Sequence, residues 1–274
     1  MKKRWISYPY LLWMIIFIIV PLILVLCFSI FISTDNGLQF SLNNYKRFME
    51  PLYLKVLWRS VVLAGISTII CLILGYPVAM ILASKQMSKK SFLLFLCILP
   101  MWMNFLLRTY AWMTLLEKNG FINKILSFFG IGPFQLLYNN AAVILGMVYN
   151  FIPFMILPIY SVMKKIDPSV IEAAEDLGAN QITVFKKIIF PLSLPGVFSG
   201  ISMVFMPAVT TFVIPRLLGG GQFMLIGNLI ERQFLLSGDW NFGSAVSIVM
   251  MIIILISMAI ISKYDKEHEG GQLW

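Results

Sequence analysis

Residues 167–195 read D-P-S-V-I-E-A-A-E-D-L-G-A-N-Q-I-T-V-F-K-K-I-I-F-P-L-S-L-P, the longest polar, helix-forming stretch between two apolar spans. Asp167 suits an N-cap and Pro168 the first helical position. Val170, Ile171, Ala174 and Leu177 recur at helical spacing and predict one apolar face. Glu172, Glu175 and Asp176 lie elsewhere on that helix. Gly178 predicts its end, because glycine accepts the left-handed turn after a helix. A second short helix is expected over roughly 180–189, stopping before Pro191. The stretch therefore predicts two short helices joined by a glycine bend and held close to a membrane.

The composition supplies the membrane. The chain has 274 residues, 59% of them hydrophobic and 12% charged, with a mean hydropathy of +0.88. A soluble domain of average usage carries a charged fraction of about 25%. The formal charge is +9. Its cations mostly flank apolar runs, so membrane topology and anionic headgroups explain them better than nucleic acid does. Cys27, Cys71 and Cys97 fall inside apolar runs without metal-ligand spacing, which reads as packing rather than a disulfide framework.

Six apolar runs follow along the chain, at about 10–32, 57–83, 92–116, 141–162, 196–215 and 243–262, each long enough to cross a bilayer about 30 Å thick. The expected fold is an all-α polytopic membrane protein, a single domain over 1–274. Bends are expected at Pro21 and near Gly75 and Pro77. The first run follows Lys2, Lys3 and Arg4 and reads as a retained helix with a cytoplasmic N-terminus. Lys85, Lys89, Lys90, Lys164, Lys165, Lys186, Lys187, Lys263 and Lys266 then fall on that same side. Lys46, Arg47, Lys55, Arg59, Lys118, Lys124, Arg216 and Arg232 fall on the other, in longer segments. This bias places both termini and the 167–195 stretch in the cytoplasm.

What the chain lacks also constrains it. Its carboxylates lie in loops, at span ends or in the tail, and His268 is its only histidine. Proton-coupled pumps place ionisable relays within the membrane, and none is offered here. No glycine is followed by lysine, so there is no phosphate-binding loop of the G-x-x-x-x-G-K-[ST] form. H-E-x-x-H and G-x-S-x-G are absent too, which argues against an enzyme. Active transport would need energy from another chain.

The 167–195 stretch resembles the EAA loop of ABC-transporter permeases, whose pattern is E-A-A, three residues, G, nine residues, then I-x-L-P. Glu172, Ala173, Ala174, Gly178, Ile188 and Pro191 fit it, with Phe190 in place of the usual leucine. The resemblance implies a type I ABC importer permease fold with a cytoplasmic coupling helix that fits a groove on an ATPase. Ala173 and Ala174 would permit close approach, Gly178 would set the bend, and Asp176 belongs to the same coupling surface. An ordinary amphipathic connector would share the same helix signals.

The third run contains P-M-W-M-N-F-L-L-R-T-Y-A-W, residues 100–112. Arg108 is the one charge well inside an apolar run. A buried arginine marks a functional site by default, although near the external end it could snorkel to headgroups. Asn104, four residues earlier, is expected on the same helical face, a candidate pathway wall. Trp102, Tyr110 and Trp112 accompany them, as pathway rings or as an interfacial belt.

Beyond the loop, the chain resembles the permeases of spermidine/putrescine ABC importers. N-Y-K-R-F with P-L-Y near 44–53, L-G-Y-P at 74–77, the 100–112 run, P-F-M-I-L-P-I-Y at 153–160, G-N-L-I-E-R-Q-F at 227–234 and D-W-N-F-G-S-A at 239–245 carry the likeness. It implies a bacterial inner-membrane importer. This subunit would join a second permease of the PotC type, an ATPase dimer of the PotA type and an extracellular binding protein of the PotD type. ATP and Mg would sit on the partner ATPase, with no cofactor on this chain. A polycation meets no carboxylate in these runs, so cation–π contacts from Trp102, Tyr110, Trp112 and Phe212 are expected. Glu117, Glu231 and Asp239 are expected at the external mouth, drawing in the cation or docking the binding protein. Alternatives are a permease for an anion or metal complex, with Arg108 as a substrate contact, or a membrane scaffold without transport.

Overall fold

The structure, a computed structural model, describes residues 8–34, 37–84, 90–221 and 223–269. The basic residues Lys2, Lys3, Arg4, Lys85 and Lys89 lie outside the described residues.

Among the described residues five helices are long and apolar enough to cross a membrane, and one bent pair is so only when its two pieces are taken together. Helix α1 (Tyr8–Ile30) leads into a hairpin of β1 (Phe31–Thr34) and β2 (Gly37–Phe40). The strands pair antiparallel with Phe31 opposite Phe40 and Thr34 opposite Gly37. A short α2 (Asn43–Phe48) precedes α3 (Pro51–Ala83). α3 runs as one helix through both Gly75 and Pro77, without an interruption. After α7 (Asn140–Met163) comes the polar stretch, and α12 (Trp240–Glu269) closes the chain.

The third span departs most from a simple reading. It is not one helix over 92–116 but two, α4 (Lys90–Trp102) and α5 (Phe105–Leu116), with a bend of 94° between 92–102 and the segment 105–128. At 1.5 Å per residue neither piece exceeds about 20 Å, short of a bilayer. The local chemistry explains the break. Pro100 has no N–H for the preceding turn, and the Asn104 carboxamide accepts from the N–H groups of Leu106 and Leu107 at 2.8 and 3.3 Å, starting a new helix. α5 then leads through a turn to α6 (Phe121–Phe128).

The fifth span also differs. The helix expected to stop before Pro191 instead runs on as α9 (Gln181–Thr210). A widened π turn over Phe185–Ile189 makes this possible, with the Phe190 N–H donating to the Phe185 carbonyl one residue further back than usual. The turn absorbs the donor that Pro191 lacks. The same arrangement precedes Pro21, with Val20 N–H on the Ile15 carbonyl. α9 ends at Thr210, and the chain resumes as α10 (Val213–Leu218) and α11 (Ile226–Arg232).

The core is built by α3, α7, α9 and α10 around fully buried Met147, Met155, Ile159, Val204, Ile214 and Leu218. Small residues bring these helices close, as membrane packing favours. A Cβ on Gly146 would lie 2.4 Å from Leu218 Cδ1, and one on Gly200 2.7 Å from Met155 Sδ.

Candidate functional site

The stretch with which the sequence reading began forms a rigid angle. α8 (Pro168–Asp176) opens on Asp167, whose carboxylate accepts from the Ser169 N–H at 2.9 Å. It closes with the Ala179 N–H on the Ala174 carbonyl at 3.0 Å and Gly178 at φ +83°. This six-to-one bond with a left-handed glycine is the Schellman end. Two residues later Asn180 caps α9, accepting from the Thr183 N–H at 2.8 Å. Both ends of the bend are therefore fixed by hydrogen bonds, and its far arm is the membrane-crossing helix α9 itself.

The expected apolar face of α8 is divided. Ile171 and Ala174 are half-buried towards the bundle, whereas Val170 and Leu177 point outward, Leu177 with 89% exposure. Ile182, just past the bend, is 66% exposed. Ala173, Glu172, Glu175 and Asp176 are exposed beside them. Beneath the helix lies a cavity of about 680 Å³ lined by Met80, Met163, Ile171, Glu175 and Ile189 among others, so α8 stands off the bundle. Ile188 is half-buried and Pro191 exposed on α9.

A contact invisible to sequence spacing ties this angle to α3. The Tyr76 hydroxyl and Ser193 Oγ are 2.8 Å apart, and the Tyr76 ring meets those of Phe185 and Phe190, each at 6.0 Å. The π turn therefore rests on an aromatic cluster, and the Tyr76–Ser193 contact beside it joins residues 117 apart in the chain.

The pathway residues separate into groups. Asn104 does not share a helical face with Arg108, because it is the cap before α5. Arg108 turns inward with 8% exposure, and its Nε and Nη1 atoms have no hydrogen-bond partner among the described residues. Trp112 lies edge-on to Tyr149 of α7 at 5.3 Å. Trp102 and Tyr110 are exposed, the former against Phe95 at 6.0 Å. Phe212 sits at the break between α9 and α10, where its carbonyl accepts from Asn228 Nδ2 at 2.7 Å. α5 packs on α10, so the segments that follow the two breaks lie side by side.

Two of the three acids expected at the external mouth are already paired. Glu231 bonds Arg216 at 2.7 Å, and Asp239 bonds Arg47 at 2.8 Å while accepting from the Phe242 N–H at 3.1 Å. The Arg47 guanidinium also lies 4.1 Å over the Phe242 ring. Burial pulls the Arg47 pKa down, and its hydrogen bonds to Asp239 and Tyr53 outweigh that, so the net direction is up. Asp239 thus braces α12 against α2. Glu117 alone of the three is exposed without such an ion pair among the described residues.

Comparison with known proteins completes the picture. A family profile described as "Binding-protein-dependent transport system inner membrane component" matches residues 75–266. The spermidine/putrescine transport system permease protein PotB of Haemophilus influenzae is 40% identical over 260 residues, covering 93% of this chain and 91% of that protein. Its Escherichia coli K12 namesake is 40% identical over 248 residues, covering 88% and 90%. A solved bacterial ABC transporter involved in import of the acidic polysaccharide alginate shares the fold, with a TM-score of 0.83 at 16% identity over 97% of this chain and 96% of that one.

Proposed function

We propose a transport function on one premise: this chain belongs to the family of binding-protein-dependent transport system inner membrane components. It is the membrane-spanning permease subunit of an ATP-driven importer, and its solutes are the polyamines spermidine and putrescine. The observation that carries the coupling role is the capped angle at Gly178, with an exposed α8 on one arm and the continuous α9 on the other. A push on α8 reaches the middle of the bundle without crossing a loose joint. The identity to the two PotB proteins over about nine-tenths of the chain supports the substrate class.

In this reading α8 faces the cytoplasm, as do both termini, and seats Val170, Ala173 and Leu177 in an ATPase of the PotA type. A second permease of the PotC type completes the pathway, and a binding protein of the PotD type delivers the solute outside. ATP and Mg bind the ATPase, and its closure draws the two coupling helices together and opens the pathway outward. Hydrolysis restores the inward-open form. The cation passes aromatic faces at the helix breaks, Trp102 and Phe212 first among them.

One observation favours an anionic solute instead: Arg108 Nε and Nη1 are buried without a hydrogen-bond partner among the described residues. Uptake by the reconstituted importer decides between the two. Labelled spermidine should accumulate with ATP and be competed by putrescine but not by small anions. Competition by anions alone would overturn the polyamine reading.

A further inference from the structure

The external segment between α5 and α7 carries an apolar face that the rest of the described chain leaves uncovered. α6 follows α5 after a four-residue turn. Phe121, Ile125 and Phe128 are spaced four and three apart and so share one face, with exposures of 61%, 43% and 86%. Phe129, whose ring lies 5.6 Å from that of Phe128, extends the patch and is exposed as well.

This outward aim is fixed from behind. Asn123, on the other side of α6, is buried. Its Nδ2 donates to the carbonyls of Glu117 and Phe134 at 3.0 and 2.9 Å, and its Oδ1 accepts from the Phe134 N–H at 3.0 Å. Ile122 packs against the core. α6 cannot roll its aromatic side inward without breaking three hydrogen bonds. The patch is thus a built feature, and a patch of this kind marks a contact surface.

We propose that this face lies in the outer leaflet of the bilayer, with Lys118 and Lys124 on phospholipid phosphates. Three observations commit it to lipid. First, the turn from α5 is too short to leave the headgroup zone: four extended residues reach at most about 14 Å. The exposed Leu106, Leu107 and Tyr110 of α5 form a lipid-compatible surface just before it. Second, α6 contains no acidic residue, and exposed Lys118 and Lys124 suit anionic headgroups. Third, phenylalanine and isoleucine on one side with lysine at the edge is the pattern of a helix lying in the interface. A binding protein that leaves in each cycle would return these rings to water every time, whereas the bilayer covers them throughout.

The test uses the importer in nanodiscs of phosphatidylethanolamine and phosphatidylglycerol. Phe121→Cys, Ile125→Cys and Phe128→Cys are compared with Asn119→Cys, a water-facing control in the turn. The wild-type chain, whose Cys27, Cys71 and Cys97 lie in α1, α3 and α4, sets the background. A membrane-impermeant maleimide should react with the three face variants about tenfold more slowly than with the control, as interfacial burial implies. A nitroxide at Phe128→Cys should collide with oxygen rather than with a water-soluble relaxant. Equal maleimide rates at face and control overturn the proposal. So does protection that arises only when the binding protein is added, which would assign the face to that protein.

Discussion

Replacing Gly178 separates backbone conformation from packing. The residue sits at φ +83°, and a Cβ built there meets nothing within 4 Å. A side chain at 178 therefore costs strain alone. For an L-residue in the left-handed region that strain is about 1–2 kcal/mol, a factor of roughly 5–30 against the bent form. Asparagine tolerates the region best and a β-branched residue worst. Uptake should therefore fall in the order glycine, asparagine, alanine, valine. ATP hydrolysis by the assembled complex should fall less than uptake, because Asp167 and Asn180 still cap both helices. Proteoliposomes loaded with ATP, assayed for labelled spermidine and released phosphate, give the ratio directly. Gly178→Val with the wild-type ratio and rate would refute the reasoning. The asparagine variant keeps the test decisive should valine fail to insert.

Other outcomes follow from the same geometry. Asp239→Asn retains a capping oxygen for Phe242 and loses only the ion pair with Arg47, so thermal stability should drop by no more than about 1 kcal/mol. Its KM for uptake should stay near wild type; a large rise would return Asp239 to the substrate mouth. Gly146→Val drives a side chain into Leu218 and Ile214 and should destabilise the subunit by about 1–3 kcal/mol, seen as a lower melting temperature in detergent; an unchanged melt contradicts the close packing of α7 and α10. Arg108→Met removes a charge whose buried Nε and Nη1 lack a hydrogen-bond partner among the described residues, so the subunit should melt at the same or a higher temperature while uptake falls. A lower melting temperature would mean that Arg108 is paired after all.

Much of the fold is legible in the chain. The apolar runs locate the spans, and Asp167, Pro168 and Gly178 mark α8 because caps and left-handed glycines depend on residues close in sequence. The break in the third span was harder to see. Asn104 and Arg108 satisfy a four-residue spacing, yet asparagine is also a strong N-cap, and Pro100 just upstream was the sign that capping would win. Pro191 misled in the opposite direction. Proline normally ends a helix, but a π turn supplies a continuous path at the cost of one widened turn, and no local residue pattern announces it. The hairpin at Phe31–Phe40 did have a signal, the turn-forming residues Asp35 and Asn36 between its two runs. The pairs Tyr76–Ser193, Arg47–Asp239 and Arg216–Glu231 had none that spacing reveals, because each depends on how separate elements meet in three dimensions. That is why spacing does not show that two acids expected at the external mouth are ion-paired.

In the proposed importer α8 meets an ATPase in the cytoplasm. Ala173→Cys, crosslinked with a short bifunctional maleimide in inside-out vesicles, tests this in one measurement. A product joining this chain to the ATPase, with a yield that changes on adding ATP, is the predicted result. No product from inside-out vesicles, together with reaction of the same site from the outer face of sealed cells, would contradict it.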